Sequence, residues 1–225
     1  MMKTLTACIL LLLLPLLQAR AQVLDPAPDK KISIKFSPQH LFINGLHLYV
    51  EKVPGQGSRH GFVFSPRLYV GNTGTVDVLA GRNWVEESDV KGYGAEVLHR
   101  FYLSDYISQY NRRVYLSYGV NYHRFNLEFE RQGWVRETDA EGLDVYKYRL
   151  RPFNEKINRV GGVALLGLQV PAVEGVLLFD FYLGAALKHS SANTDFSHVR
   201  FNRNAFDFGY SGLHFVSGLT VGVAL

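Results

Sequence analysis

"GVLLFDFYLGAALKHS", residues 175–190, alternates almost without a break. Successive side chains of an extended strand point to opposite sides. Leu177, Phe179, Phe181, Leu183, Ala185 and Leu187 therefore share one face, and Val176, Leu178, Asp180, Tyr182, Gly184, Ala186 and Lys188 share the other. The first face is wholly apolar, whereas the second mixes charge with small and aromatic residues. Which of the two meets water decides the fold.

Similar alternating stretches lie at 31–36, 45–53, 60–71, 92–103, 113–124, 157–170 and 213–225. Period-two alternation of this kind is the signature of half-buried strands. The connections 54–58, 104–111 and 171–175 are short, while 72–91, 125–156 and 190–212 are long. From the second strand onward, short and long connections take turns. This is the pattern of an up-and-down antiparallel barrel with tight turns on one rim and long loops on the other. "KISIKF" (31–36) supplies the eighth strand, which puts both chain ends on the short-turn side. Within 125–156, "NLEFE" and "DVYKYRL" also alternate, which predicts a β-hairpin rising beyond the rim.

A soluble barrel would carry a densely charged exterior around an apolar interior. Here the face opposite the apolar one holds Tyr115, Ser117, Gly119 and Asn121 on one strand, and Gly161, Gly167 and Gln169 on another. Such a face suits a crowded lumen better than a solvent surface. Val114, Leu116, Tyr118, Val120 and Tyr122 suit lipid with an aromatic edge. A closed barrel spans a bilayer because every backbone polar group is paired between strands. The expected fold is thus an all-β, eight-stranded antiparallel up-and-down transmembrane β-barrel.

The same alternation directs Glu51, Glu96, Asp180, Arg67, Arg100, Arg113, Arg159 and Lys188 inward. Each would be costly alone in a tight interior, so they are expected to pair or to keep water. Eight strands leave room for little more than side chains. A plug of paired charges is the expectation, and a narrow passive pore is the alternative.

The chain has 225 residues, which suits one domain. Residues 1–21 read as a cleaved signal peptide, leaving 22–225 as a single barrel domain. Lys3 begins a short positive region, Ile9–Leu17 is apolar, and Ala19-Arg20-Ala21 is a cleavage site. "LTAC" (5–8) resembles a lipobox, but its cysteine precedes the apolar core instead of following it. The formal charge of +4 falls to about +2 once Lys3 and Arg20 leave with the leader. With no basic run, that excludes a nucleic-acid partner. Cys8 is the only cysteine, so the mature chain has no disulfide framework. The stretch 208–225 is uncharged, but its glycines and its alternation favour a strand over a membrane helix.

His47, His99, His123 and His214 sit singly on separate strands, as interfacial histidines do, and no metal or cofactor site is expected. Trp84 and Trp134 fall in long loops, either as hot spots for an extracellular partner or at the lipid headgroup level.

"GLHLYVEKV" (45–53), "YGAEVLHRFYLSD" (93–105) and "FDFYLGAALKHS" (179–190) resemble the small outer-membrane β-barrel proteins of Bacteroidetes-type bacteria. The resemblance covers nearly the whole mature chain, but its patterns carry no chemistry. It implies both termini in the periplasm, variable surface loops, outer-membrane lipid including lipopolysaccharide as surroundings, and insertion by the barrel-assembly machinery. The chain departs from that pattern in ending on Leu225 where such barrels usually end on an aromatic. The implied role is structural or surface-interacting, without catalysis.

One motif points elsewhere. His189-Ser190-Ser191 resembles the first part of the His-x-Ser-Asn motif of the lipid A deacylases, outer-membrane barrels in which a later Glu orients the His. A His two residues before a Ser shares its strand face, so an activated Ser191 is geometrically allowed. Here the next residue is Ala192 and no Glu follows Glu174, leaving Asp195 or Asp207 as substitutes. Alternation also turns His189 outward with Leu187. A lipid A-modifying acyl hydrolase is therefore the alternative reading, and a polar strand end leaving the membrane is the simpler one.

Overall fold

The computed structural model describes residues 31–55, 58–81, 88–103, 112–173 and 176–225. The expected signal peptide, the 104–111 turn and Trp84 lie outside the described residues. Eight strands follow one another: β1 Ile32–Phe36, β2 Gly45–Lys52, β3 His60–Asn72, β4 Ser88–Tyr102, β5 Arg113–Thr138, β6 Asp144–Ala172, β7 Leu177–Thr194 and β8 Gly212–Ala224. Each pairs antiparallel with its neighbour in sequence, and β1 also pairs with β8, so one sheet closes into a ring. A 3₁₀ segment, Pro38–Ile43, joins β1 to β2, and a short helix α1, Gly74–Leu79, follows β3. Among the described residues no helix is long and apolar enough to cross a membrane.

The decisive strand divides as its sequence predicts. On β7, Phe181 is 50% exposed while its neighbour Asp180 is 1% exposed. Phe62, Phe64 and Leu68 on β3, Leu116, Tyr118 and Val120 on β5, and Leu183 and Leu187 on β7 all face outward. This outer apolar run ends at a common level. On β5 Tyr122 gives way to Arg124, on β6 Val160 to Asn158, and on β4 Tyr93 to Lys91. The register pairs Tyr93 with Arg124, Arg124 with Asn158, and Val160 with His189, so the change from apolar to polar falls within one outward position of Arg124 on four strands.

Above that level the strands continue, and the long connection at 125–156 is the β-hairpin its alternation predicts, continuous with β5 and β6. β5 and β6 stay paired from Phe125↔Ile157 to Thr138↔Asp144. The reason is a reversed pattern: Phe125, Leu127, Phe129, Phe153 and Ile157 are buried inside, and polar residues face out. Asp139 closes the hairpin by accepting the N–H groups of Glu141 and Leu143 at 3.0 and 2.9 Å. Trp134 therefore stands on β5 and not in a loop. By the same logic β4 begins at Ser88 and β7 runs to Thr194, with Val90 and Ala192 serving the same interior cluster.

The connection after β7 turns back over this end of the ring. Phe201 and Phe208 are buried against Tyr69, Val76, Phe125 and Phe129. Glu155 holds the connection by accepting the N–H groups of Arg200 and Phe201 at 2.8 and 3.2 Å. An aromatic roof thus closes the hairpin side of the interior.

Candidate functional site inside the ring

Beneath the roof, the interior has two charged levels. At the level nearest the chain ends, Lys35 Nζ lies 2.6 Å from Glu51 and 2.8 Å from Asp180. Arg100 Nη1 lies 2.9 Å from each of the same two carboxylates. Two cations and two anions make a closed, neutral quartet, and all four side chains are buried. Tyr102 donates its hydroxyl to Glu51 as well. Charge-assisted hydrogen bonds of this kind are the strong ones, and they compensate the desolvation that isolated buried ions would suffer.

Aromatic rings support the quartet. Arg100 sits 3.8 Å over the Tyr115 ring and Arg113 sits 4.4 Å over Tyr102. Tyr115 fills the space that a side chain on Gly167 of β6 would take. Gly61 does the same for Glu51, whose Oε1 would lie 3.0 Å from a Cβ placed there. Alternation had directed Glu51, Asp180, Arg100 and Arg113 inward, and the structure gathers them here. Lys35 belongs with them although the charge expectation omitted it. Its parity, between outward Ile34 and Phe36, was the available signal.

The middle level is different. Arg67 pairs with Glu96, which also accepts from Asn121 Nδ2 at 3.2 Å. Arg159 donates from Nη1 to the Phe208 carbonyl at 3.1 Å, which ties it to the roof. Lys188 meets no hydrogen-bond acceptor or carboxylate among the described residues. These three cations line a cavity of about 600 Å³ whose other walls include Val63, Leu98, Val163 and Leu165, with Glu96 and the quartet of Lys35, Glu51, Arg100 and Asp180 also lining it. The expectation of an interior filled by side chains is corrected here. The roof is built from the connection after β7, and the aromatic residues crowd there and around the quartet, leaving the middle open.

The structure also corrects the view of the histidines as interfacial. His47 and His123 are buried inside and line the cavity, with His40 stacked 3.7 Å from His47 and His214 nearby. His47 Nε2 is 2.8 Å from the Tyr69 hydroxyl. His123 Nε2 is 3.3 Å from Arg67 Nη1. An arginine can only donate, so this contact leaves the proton of a neutral His123 on Nδ1. That buried atom has no partner among the described residues. His99 faces outward and bonds His60 and Tyr118, each at 3.0 Å. Among the described residues no three His, Cys, Asp or Glu side chains converge as metal ligands.

At the strand end, His189 and Ser191 share the outer face, as their spacing predicts, and Ser190 turns inward. Ser190 Oγ donates to the Tyr210 carbonyl at 3.0 Å. Asp195 accepts the Asn154 N–H at 2.8 Å, and Asp207 accepts the Arg203 N–H at 2.7 Å. Both candidate orienting acids are thus engaged by backbone N–H groups. Trp134 is exposed on the hairpin with its ring centroid 5.2 Å from that of Tyr148.

No protein-family model matches the chain, and no curated protein matches it.

Proposed function

We propose that the chain is an integral outer-membrane β-barrel protein of the kind its sequence resembles, with no catalytic step, acting at the cell surface through its β5–β6 hairpin. The observation that carries this reading is the apolar outer belt, which ends within one outward position of Arg124 on each of β4 to β7. Monomeric soluble proteins rarely expose contiguous apolar patches beyond a few hundred Å². A β-strand crosses the hydrocarbon layer in about 9–11 tilted residues, and Arg113–Tyr122 below the boundary on β5 fits that span.

Beyond the boundary, Trp134, Tyr146, Tyr148 and Leu150 form an exposed apolar stripe on one face of the hairpin. The other face carries ion pairs such as Lys147–Glu137 at 3.3 Å. An aromatic stripe on a ladder-stiffened hairpin suits an interaction surface, since aromatic residues dominate such hot spots. In this reading the barrel holds the hairpin above the membrane, with both chain ends in the periplasm.

Surface proteolysis of intact cells tests it. Cleavage is expected within 139–143 and not at 53–55 or 171–173. Cleavage at the short turns while the outer membrane is intact would overturn the orientation, and recovery of the chain in the soluble fraction would overturn the membrane reading.

A further inference from the structure

The wall of the ring is incomplete at one place. β8 pairs with β7 along nearly its whole length, Gly212 to Val223. On its other edge it pairs with β1 only from Val221 to Ala224. β1 ends at Phe36, and β2 begins at Gly45, whose strand partner is β3. Between β2 and the Gly212–Thr220 edge of β8 lies the 3₁₀ segment Pro38–Ile43 in place of a strand. Side-chain bonds tie it to β7 and β8: Ser37 Oγ, at its start, donates to the Leu219 carbonyl at 3.2 Å, and Gln39 Nε2 to the Tyr182 hydroxyl at 3.1 Å. The backbone bonds of this segment run instead to His47, to Val70 and within itself.

The cavity reaches this seam. Its lining passes from inward His214 and Val216 to Phe215 and Ser217 on the outer face of the same strand. Phe215 is 93% exposed, and Phe42 of the 3₁₀ segment is 76% exposed. An interior chamber with charged and apolar walls therefore meets the apolar outer surface sideways, along a strand edge that lacks a ladder.

The charge inside is not balanced. Arg67 has Glu96, but Arg159 and Lys188 have no carboxylate among the described residues. The orphan Nδ1 of His123, a side chain that is 1% exposed, is a further donor at the cavity wall. Unpaired interior cations are costly unless something anionic joins them. A pocket of this volume suits a small ligand, and its walls call for one that is anionic at one end and apolar at the other.

We propose that the cavity binds a single-chain amphiphile with an anionic head, carboxylate or phosphate, which enters from the bilayer through the β8–3₁₀ seam. The head lies against Arg159 and Lys188, and the acyl chain leaves past Val216 and Phe215. This proposal rests on the membrane reading above.

The test uses the mature full-length chain reconstituted in phosphatidylcholine vesicles. Insertion is checked first by its resistance to carbonate extraction, so a failure of the membrane reading shows before any ligand is added. The probes are palmitate, palmitoyl lysophosphatidic acid, hexadecanol and inorganic phosphate. Saturable binding of one or both acyl anions is expected, and which of them binds identifies the head. Hexadecanol and inorganic phosphate are expected to bind at least about tenfold more weakly. Lys188→Met should weaken acyl-anion binding about tenfold, while Lys52→Met, on the outer face, should leave it unchanged.

A disulfide between Gln39→Cys and Gly218→Cys tests the route, because the Gln39 amide occupies the place of a Cβ at Gly218. Oxidation should slow uptake from the bilayer and reduction should restore it. Equal binding of hexadecanol or free phosphate, or indifference to Lys188→Met in an inserted protein, would overturn the anionic-amphiphile site. Uptake unaffected by the closed disulfide would overturn the seam as its entrance.

Discussion

Two clusters of charge share the interior and follow opposite rules. In the quartet of Lys35, Glu51, Arg100 and Asp180, every charge has two opposite partners at 2.6–2.9 Å. At the middle level of the cavity that both clusters line, Arg159 leans on a backbone carbonyl and Lys188 lacks a carboxylate among the described residues. The first cluster is built to hold the ring together. The second lowers stability where it stands and is better understood as a binding surface. The difference teaches that interior charge is one category in the sequence but two in the structure, separated by how many opposite charges are within reach.

Breaking the quartet should have the largest effect. Glu51→Ala leaves Lys35 and Arg100 sharing one carboxylate and removes the acceptor of Tyr102. Loss of one partner from a buried pair costs about 3–5 kcal/mol, and urea unfolding of the reconstituted protein should register that loss. Adding Lys35→Met to the Glu51→Ala variant should recover part of it, because the stranded charge goes too. A loss no larger than that of an exposed pair such as Lys147–Glu137 would show that the quartet is not structural.

Packing beneath the quartet comes next. Gly167→Ala sets a methyl where the Tyr115 ring lies, beneath Arg100. Overpacking of this kind costs about 1–3 kcal/mol, read from the same unfolding curves. The cavity should respond with the opposite sign. Lys188→Met removes an unpaired interior charge and is expected to raise stability by up to about 1 kcal/mol without ligand. A clear destabilisation would mean that Lys188 has a structural partner and would erase the contrast between the two clusters.

The smallest effect is expected outside both clusters, at the polar rim. Ser191→Ala and His189→Ala should leave the acyl pattern of lipid A unchanged in mass spectra of expressing cells. A serine hydroxyl needs a base held in a fixed tautomer, and Asp195 and Asp207 accept instead from the backbone of Asn154 on β6 and of Arg203. Loss of an acyl chain with wild type alone, and not with these variants, would make residues 189–191 an active site.

Most of the ring was legible because period-two alternation is a local property. Asp180 between Phe179 and Phe181 declares its face without knowledge of any neighbour. The same rule found the β5–β6 hairpin in the alternation of 126–130 and 144–150. It did not show that the hairpin continues the barrel strands without a break, since above the apolar belt the pattern inverts and Leu127 and Phe129 point inward. The cavity and its seam were not legible. They depend on the connection after β7 folding back to bury Phe201 and Phe208, and on a 3₁₀ segment standing where a strand would continue. Neither leaves a periodic trace. The gathering of His40, His47 and His123 is likewise a product of ring closure and not of spacing.

The central claim is that the outer face meets lipid and the inner face does not. Single cysteines at Phe181 and Arg124 in the reconstituted protein, prepared as residues 22–225 without Cys8, test it directly. The account predicts that a membrane-impermeant maleimide labels position 124 and not 181, and that a fluorophore at 181 is quenched by spin-labelled acyl chains. Rapid aqueous labelling at 181, with no quenching from the acyl chains, would contradict it.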